Sequence, residues 1–507
     1  MTRTATVSVA PPNFFLGCVV EEKRKGLAKA LPFLFLSRSY GNHPTAAEQY
    51  ICPDHPVYVS CILRPAMRQL LKNLTRLTAV YLFVACFSVP GSGYSVLTHE
   101  QVVDLMWKDQ LQPMLLKRFP NATEEELRKA HAFAYGGSVI QDMGYYPFGS
   151  KFFSDLVHYV RSGDFIEALL RDSADLNEYA FALGALSHYA ADNSGHPTIN
   201  RVVALQFPKL RRKYGDNVTY ADNPKQHIRT EFGFDMVQVA KNRYTSDAYH
   251  DMIGFEISKP VLERAFQETY GLKLEDVFGS VDLAIGSFRR SVSVVIPEMT
   301  RVALLSRRDV IVQDTPNFNK KKFLYYLSRS NYEHEWGTVY RKPGLGSRIL
   351  AFILKVMPKI GPFKAVNFTI PTKQSEDLYI KSVDATIDNY GGLLREEDRG
   401  KLYLPNRDFD TGHDTRAGEY ALTDKTYAEL VDKLTTKNVV TSVSPEPTTK
   451  NVVASVSPEL RDNVLQFYAD PNAPNALKKK PKDWEKLQKQ LETLKQNAAA
   501  PTQPAAE

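Results

Sequence analysis

The chain has 507 residues, 43% hydrophobic and 11% aromatic, enough apolar material for one large domain or several average ones. Its formal charge of +7 suggests a polyanionic partner only until the charge is located. Residues 1–66 carry a net +3, residues 67–93 another +3 from Arg68, Lys72 and Arg76, and residues 94–507 close to +1, so the body offers no electrostatic case for nucleic acid.

The chain begins with a segment that does not read as a domain. From Met67 it runs "MRQLLKNLTRLTAVYLFVACFSVPGSGYSVLTHE". The basic residues form an n-region, Leu77 to Val89 an apolar h-region, and Gly91 and Gly93 stand at −3 and −1 of a cleavage site. The apolar run is too short for a spanning helix. Residues 67–93 are therefore expected to be a secretory signal peptide, with Tyr94 the first residue of an exported protein, periplasmic or secreted. Residues 1–66 are then a mis-called or disordered extension ahead of a true start at Met67. A genuine N-terminal region followed by a membrane anchor is the other reading. A lipobox at "FVAC", lipidated on Cys86, is a weaker fit because of Phe83. All 4 cysteines, Cys18, Cys52, Cys61 and Cys86, precede Tyr94. The body thus has no disulfide and no thiolate, and a metal site there must use histidine and carboxylate.

Residues 99–260 read as mainly helical. "THEQVVDLMWKDQL" opens with Thr98 as an N-cap and keeps helical apolar spacing. "TEEELRKAHAFAYGG" has an acidic first turn and ends in glycine. "NEYAFALGALSHYAAD" is apolar on nearly every side, which predicts a buried central helix. "PKQHIRTEFGFDMVQVAK" is a further helix. Residues 261–430 form a mainly helical accessory region, including "SVDLAIGSFRRSVSVVIPEMTRVALLS". Within it, Gly344 to Val366 is apolar with Arg348, Lys355, Lys359 and Lys364 interleaved. A buried helix with snorkelling lysines is the plainer reading, peripheral contact with a lipid surface the other. Residues 431–462 hold the tandem "TTKNVVTSVSPEP" and "TTKNVVASVSPEL" and are expected to be a flexible linker. Residues 463–507 read as a charged helix and a disordered tail.

The chemistry concentrates in "HYAADNSGH". His188, Asp192 and His196 lie at i, i+4 and i+8, so one helix face carries all three, drifting about 40° per step. An ionised carboxylate on so apolar a helix is costly unless paired or metal-bound. "HIRTE" repeats the i, i+4 pairing with His227 and Glu231. Upstream, Asp142 follows an apolar stretch and precedes aromatics, and His158 lies sixteen residues on. Such a donor set suits Zn²⁺ or a similar divalent ion. His131, His250, His334 and His413 sit in no matching frame and read as structural or surface histidines.

In this order, His99, Asp142, His158, His188 with Asp192, His196, and His227 with Glu231 resemble the zinc-dependent phospholipase C family and the related S1/P1-type nucleases. The resemblance covers roughly residues 94–260 and implies an all-α bundle of that kind binding three zinc ions. It implies Asp142, His158, His188 and Asp192 on one zinc. The Tyr94 backbone, His99 and Asp192 would hold a second, with Asp192 bridging, and His196, His227 and Glu231 the third. Tyrosine departs from the family's N-terminal tryptophan, but the contact is through the backbone. His196 follows Asp192 by four residues where the family has six.

The resemblance further implies phosphodiester hydrolysis of phospholipids by a zinc-activated water, with Asp142 as the catalytic residue that orients or deprotonates it. A 3′-nucleotidase or single-strand nuclease on the same site, or an inactive zinc-binding envelope protein, are the alternatives. The partner expected is a phospholipid or other phosphodiester, with no nucleic acid partner favoured. Tyr145, Tyr146, Phe152 and Phe153 are candidate headgroup contacts, with core packing the plainer reading.

Overall fold

The structure is a computed structural model and describes residues 95–240, 254–296, 369–440 and 456–499. The expected signal peptide, the region before it, Tyr94, His250, His334, the Gly344–Val366 stretch and the middle of the tandem repeat lie outside the described residues.

The described residues are all-α apart from one hairpin of two-residue strands. Fourteen α-helices are seen among them. Helix α1 is Val96–Met106, followed through a π turn by α2, Gln112–Arg118. Helix α3 is Glu124–Ser138, and a 3₁₀ turn, Ile140–Tyr145, leads to α4, Lys151–Tyr159, and α5, Ser162–Arg171. The long α6 is Leu176–Gln206, then come α7, Pro208–Tyr214, and α8, Pro224–Ala240. Helices α9, Lys259–Tyr270, and α10, Val281–Arg290, precede α11, Lys373–Asp398. The hairpin β1, Arg407–Asp408, and β2, His413–Asp414, is followed by α12, Ala421–Val440, α13, Pro458–Phe467, and α14, Pro481–Ala499.

Helix α6 is the axis of the molecule, and it packs most extensively against α3 and α11. Its start is fixed by Asp175, whose carboxylate accepts from the Asn177 and Glu178 amides at 2.9 Å each. Helix α3 starts in a capping box between Thr123 and Glu126. The glycines at its far end do not cap it. They lie inside the helix, where a Cβ on Gly137 would stand 1.9 Å from the Phe181 carbonyl oxygen of α6. Gly184 on α6 reciprocates, its added Cβ falling 2.0 Å from the Ala134 carbonyl oxygen. Two backbones in contact, not a helix stop, explain these glycines.

Thr98 is likewise not the cap of α1. Ser95 occupies that position, while the Thr98 hydroxyl donates to Asp235 at 2.8 Å and lies 2.7 Å from the Tyr379 hydroxyl. The Leu97 amide also donates to Asp235, at 3.1 Å. The first turn of α1 is thereby pinned to α8 and α11.

One apolar core draws on residues from Val96 to Leu494, so the C-terminal helices complete the same core as the N-terminal ones. Tyr390 of α11, fully buried, donates to the Leu183 carbonyl at 2.8 Å. The tandem repeat continues α12 as far as Val440, and its second copy supplies Ser457 as the N-cap of α13. Among the described residues no helix is long and apolar enough to cross a membrane.

Candidate metal centre

Five elements converge on the polar centre. Helix α1 brings His99, the 3₁₀ turn after α3 brings Asp142, and α4 brings His158. Helix α6 brings His188, Asp192 and His196, and α8 brings His227 and Glu231. All eight side chains are buried. Three sets of ligand-type atoms lie within 4.8 Å of one another: His99, His188 and Asp192; Asp142, His158 and His188; His196, His227 and Glu231.

Asp192 is the hub. One of its oxygens lies 3.0 Å from His188 Nε2, 3.4 Å from His196 Nε2 and 3.6 Å from His158 Nε2. The other lies 3.5 Å from His99 Nε2. Asp142 stands 3.5 Å from His158 Nε2. His99 and His188 stack with ring centroids 4.3 Å apart.

The outward nitrogens of three rings have their own partners. His158 Nδ1 meets the Ser154 carbonyl at 2.7 Å and His188 Nδ1 the Ser138 carbonyl at 2.8 Å, so each carries its proton outward and turns Nε2 to the centre. His227 uses the opposite face. Its Nε2 meets Asn200 Oδ1 at 2.7 Å, and its Nδ1 faces Glu231.

The inward atoms fit a bound cation. His158 Nε2, His188 Nε2, both Asp192 oxygens, His196 Nε2 and Glu231 Oε2 are buried and make no hydrogen bond. Leaving such groups unmade costs about 1–3 kcal/mol each. Taken together, that is comparable to a whole domain's stability of about 5–15 kcal/mol. Metal coordination is the chemistry that satisfies this many inward donors in one place.

The electrostatics agree. Burial alone would raise the Asp192 carboxyl, but His188, His196 and His158 outweigh it and hold the group well below its usual value. Burial would raise Asp142 too, but the neighbouring His158 and the His188 charge outweigh it and lower the group. Against burial, Asp142 and Asp192 lift His158 to about 10, while Asp192 and Asp410 lift His196 to about 9. Burial and His188 drop His99 to about 3, and burial and His196 drop His227 to about 3. Burial drives Glu231 well above its usual value. In the third set the His196 charge does not outweigh the burial of Glu231, and a divalent ion would supply the further positive charge that keeps this carboxylate ionised.

Residues 98–279 match the profile of a family described as zinc dependent phospholipase C. This part of the chain is similar to the zinc-dependent phospholipase C family. No curated protein and no solved structure matches the chain. All eight side chains above fall inside the matched segment. His196 joins His227 and Glu231 despite its short spacing from Asp192, because i+4 places it one turn along the same face.

Two residues at the polar centre escaped the sequence reading. Asn200, four residues beyond His196, extends the series His188, Asp192, His196 by one more turn, a signal available in the spacing. Asp410 lies outside the matched segment and had no signal, yet its Oδ1 is 3.4 Å from His196 Nδ1. Of the candidate aromatics, Tyr145 sits beside His158 at 5.9 Å between ring centroids. Tyr146 packs on Phe288, Phe153 on Phe266 and Phe278, and Phe152 belongs to the core. Tyr220, not among the candidates, sits edge-on to His227 at 5.9 Å. His131 is structural, stacked on Trp107 at 3.8 Å and bonded to Asp104 at 3.0 Å. His413 is exposed.

Proposed function

We propose that the protein is an exported zinc-dependent phosphodiesterase of the phospholipase C type, releasing diacylglycerol and a phosphorylated headgroup. The observation that carries this reading is the convergence of three ligand sets around one carboxylate, Asp192, within a segment similar to the zinc-dependent phospholipase C family.

Asp142, His158, His188 and Asp192 would hold one zinc, His99 and Asp192 a second together with the freed Tyr94 backbone, and His196, His227 and Glu231 a third. Zinc held there lowers the pKa of water and offsets charge on phosphoryl oxygens. The chain's own residues do the rest. Asp142, ionised at neutral pH, accepts the proton of the attacking water and orients it toward phosphorus. Asp192 fixes the spacing of His99, His158, His188 and His196 around the substrate. Tyr145 and Tyr220 offer ring faces or hydroxyls to a headgroup, with burial pushing both phenols up so that they stay protonated.

The test uses purified protein on phosphatidylcholine vesicles and on single-stranded DNA in parallel. The expected result is diacylglycerol release that a chelator abolishes and zinc restores. DNA cleavage without lipid hydrolysis would replace the reading with a nuclease. Zinc binding with neither activity would make this an inactive zinc protein.

A further inference from the structure

Three of the ligand histidines are held from behind by neutral acceptors, namely Ser154 O, Ser138 O and Asn200 Oδ1. His196 is different. Its Nε2 faces Asp192, and the group facing its Nδ1 is the carboxylate of Asp410, 3.4 Å away. Asp410 stands outside the set formed by His196, His227 and Glu231.

This carboxylate is built into place. It is buried, and its Oδ2 accepts from the Tyr159 hydroxyl at 2.9 Å and from the Tyr420 hydroxyl. Its main-chain oxygen accepts from Asn200 Nδ2 at 2.7 Å, the same amide whose oxygen meets His227. One Asn200 side chain therefore ties the Asp410 backbone to a second ligand histidine. With Oδ2 occupied by two phenols, Oδ1 is left to face His196.

The surrounding hairpin is docked as firmly. The Phe409 amide donates to the His158 carbonyl at 3.2 Å, and the Phe409 ring meets His158 edge-on at 5.3 Å. Gly412, at φ +72°, lies against the Asn193 carbonyl and the Pro197 ring of α6, where a Cβ would come within 2.8 Å of that oxygen. Pro197 has no N–H, so the Asn193 carbonyl cannot take its usual i+4 partner there. The hairpin covers the turn of α6 on which His196 sits.

We propose that Asp410 is a positioning residue for the third ligand set: it fixes the ring of His196 from the Nδ1 side and thereby sets how tightly that set holds its ion. A carboxylate behind a ligating imidazole fixes its tautomer and raises its basicity, and losing such a partner weakens metal binding about 10–100-fold. The inference rests on the metal reading above. It places a determinant of that affinity some two hundred residues downstream of the ligands, outside the family-matched segment.

The experiment measures zinc per chain in the full protein, by mass spectrometry of metals, across a graded chelator series. Wild type is compared with Asp410→Asn, His196→Ala and the double variant, and folding is checked by circular dichroism in saturating zinc. Asp410→Asn keeps an acceptor for the tyrosines but removes the charge behind His196. The expected result is native folding, selective loss of one of three ions at roughly 10–100-fold lower chelator strength, and no further loss in the double variant than in His196→Ala. An Asp410→Asn protein that holds the third ion as wild type does overturns the proposal. One that loses all ions together or unfolds in saturating zinc also overturns it, making Asp410 a fold residue only. A wild type that binds no zinc overturns the metal reading itself.

Discussion

Asp192 meets four imidazoles at 3.0–3.6 Å. Asp192→Asn preserves shape and removes the charge that balances them. Zinc content is expected to fall by at least one ion and phosphodiesterase turnover by about 100-fold or more, read by metal analysis and a diacylglycerol assay. Full zinc with full rate would end the bridging role. The spacing of His188, Asp192 and His196 made this hub legible, because a helix repeats near every four residues. Asn200 was legible in the same way but is an uncharged amide, and a search for metal ligands passes over it. Asp410 was not legible, since nothing in a linear chain links it to His196. A second carboxylate, Asp235, is pushed up to about 6 by burial, against the bonds it receives from Ser95, Thr98 and Leu97. It holds its proton more tightly folded than unfolded, so its contribution to stability is present below about pH 4 and is lost as pH rises to about 6. Urea unfolding of Asp235→Asn against wild type, from pH 4 to 7, should remove a fall of roughly 3 kcal/mol in that window. Parallel pH profiles for the two proteins would contradict this.

At the scale of elements, α6 does two jobs along one stripe. Gly184, one turn before His188, lies against the backbone of α3, and the turns that follow carry the ligands. Gly184→Val would drive methyl groups into the Ala134 carbonyl, with nothing flexible to yield. The expected loss is about 3 kcal/mol or more of folding stability, seen as a large fall in thermal midpoint with the zinc ligands all intact. An unchanged midpoint would mean that α3 and α6 are further apart than described. The central apolar helix and the acidic first turn of α3 were readable from pattern and local chemistry. The roles of Thr98 and of the α3 glycines were misread, because cap residues and packing residues are the same amino-acid types. What separates them is the tertiary partner, Asp235 in one case and α6 in the other.

The whole molecule joins a family-matched segment to C-terminal elements that share its core. Composition made that region legible as helical and no more, because its contribution to the centre is one hairpin whose strands are two residues long. The N-terminal side carries its own expectation. Pinning of the first α1 turn by Asp235 fixes the chain immediately after Tyr94. Under the proposal of export, N-terminal sequencing of the mature protein is expected to begin at Tyr94. A start elsewhere would remove the terminal amine from the second ligand set and predicts a protein with two tightly held ions instead of three.

The central claim is that buried imidazoles and carboxylates from α1, the 3₁₀ turn, α4, α6 and α8 exist to hold divalent ions. The most direct measurement is the zinc-to-chain ratio of the purified protein after growth with ample zinc. The account predicts three ions per chain. A folded, monodisperse protein with a ratio near zero would contradict it.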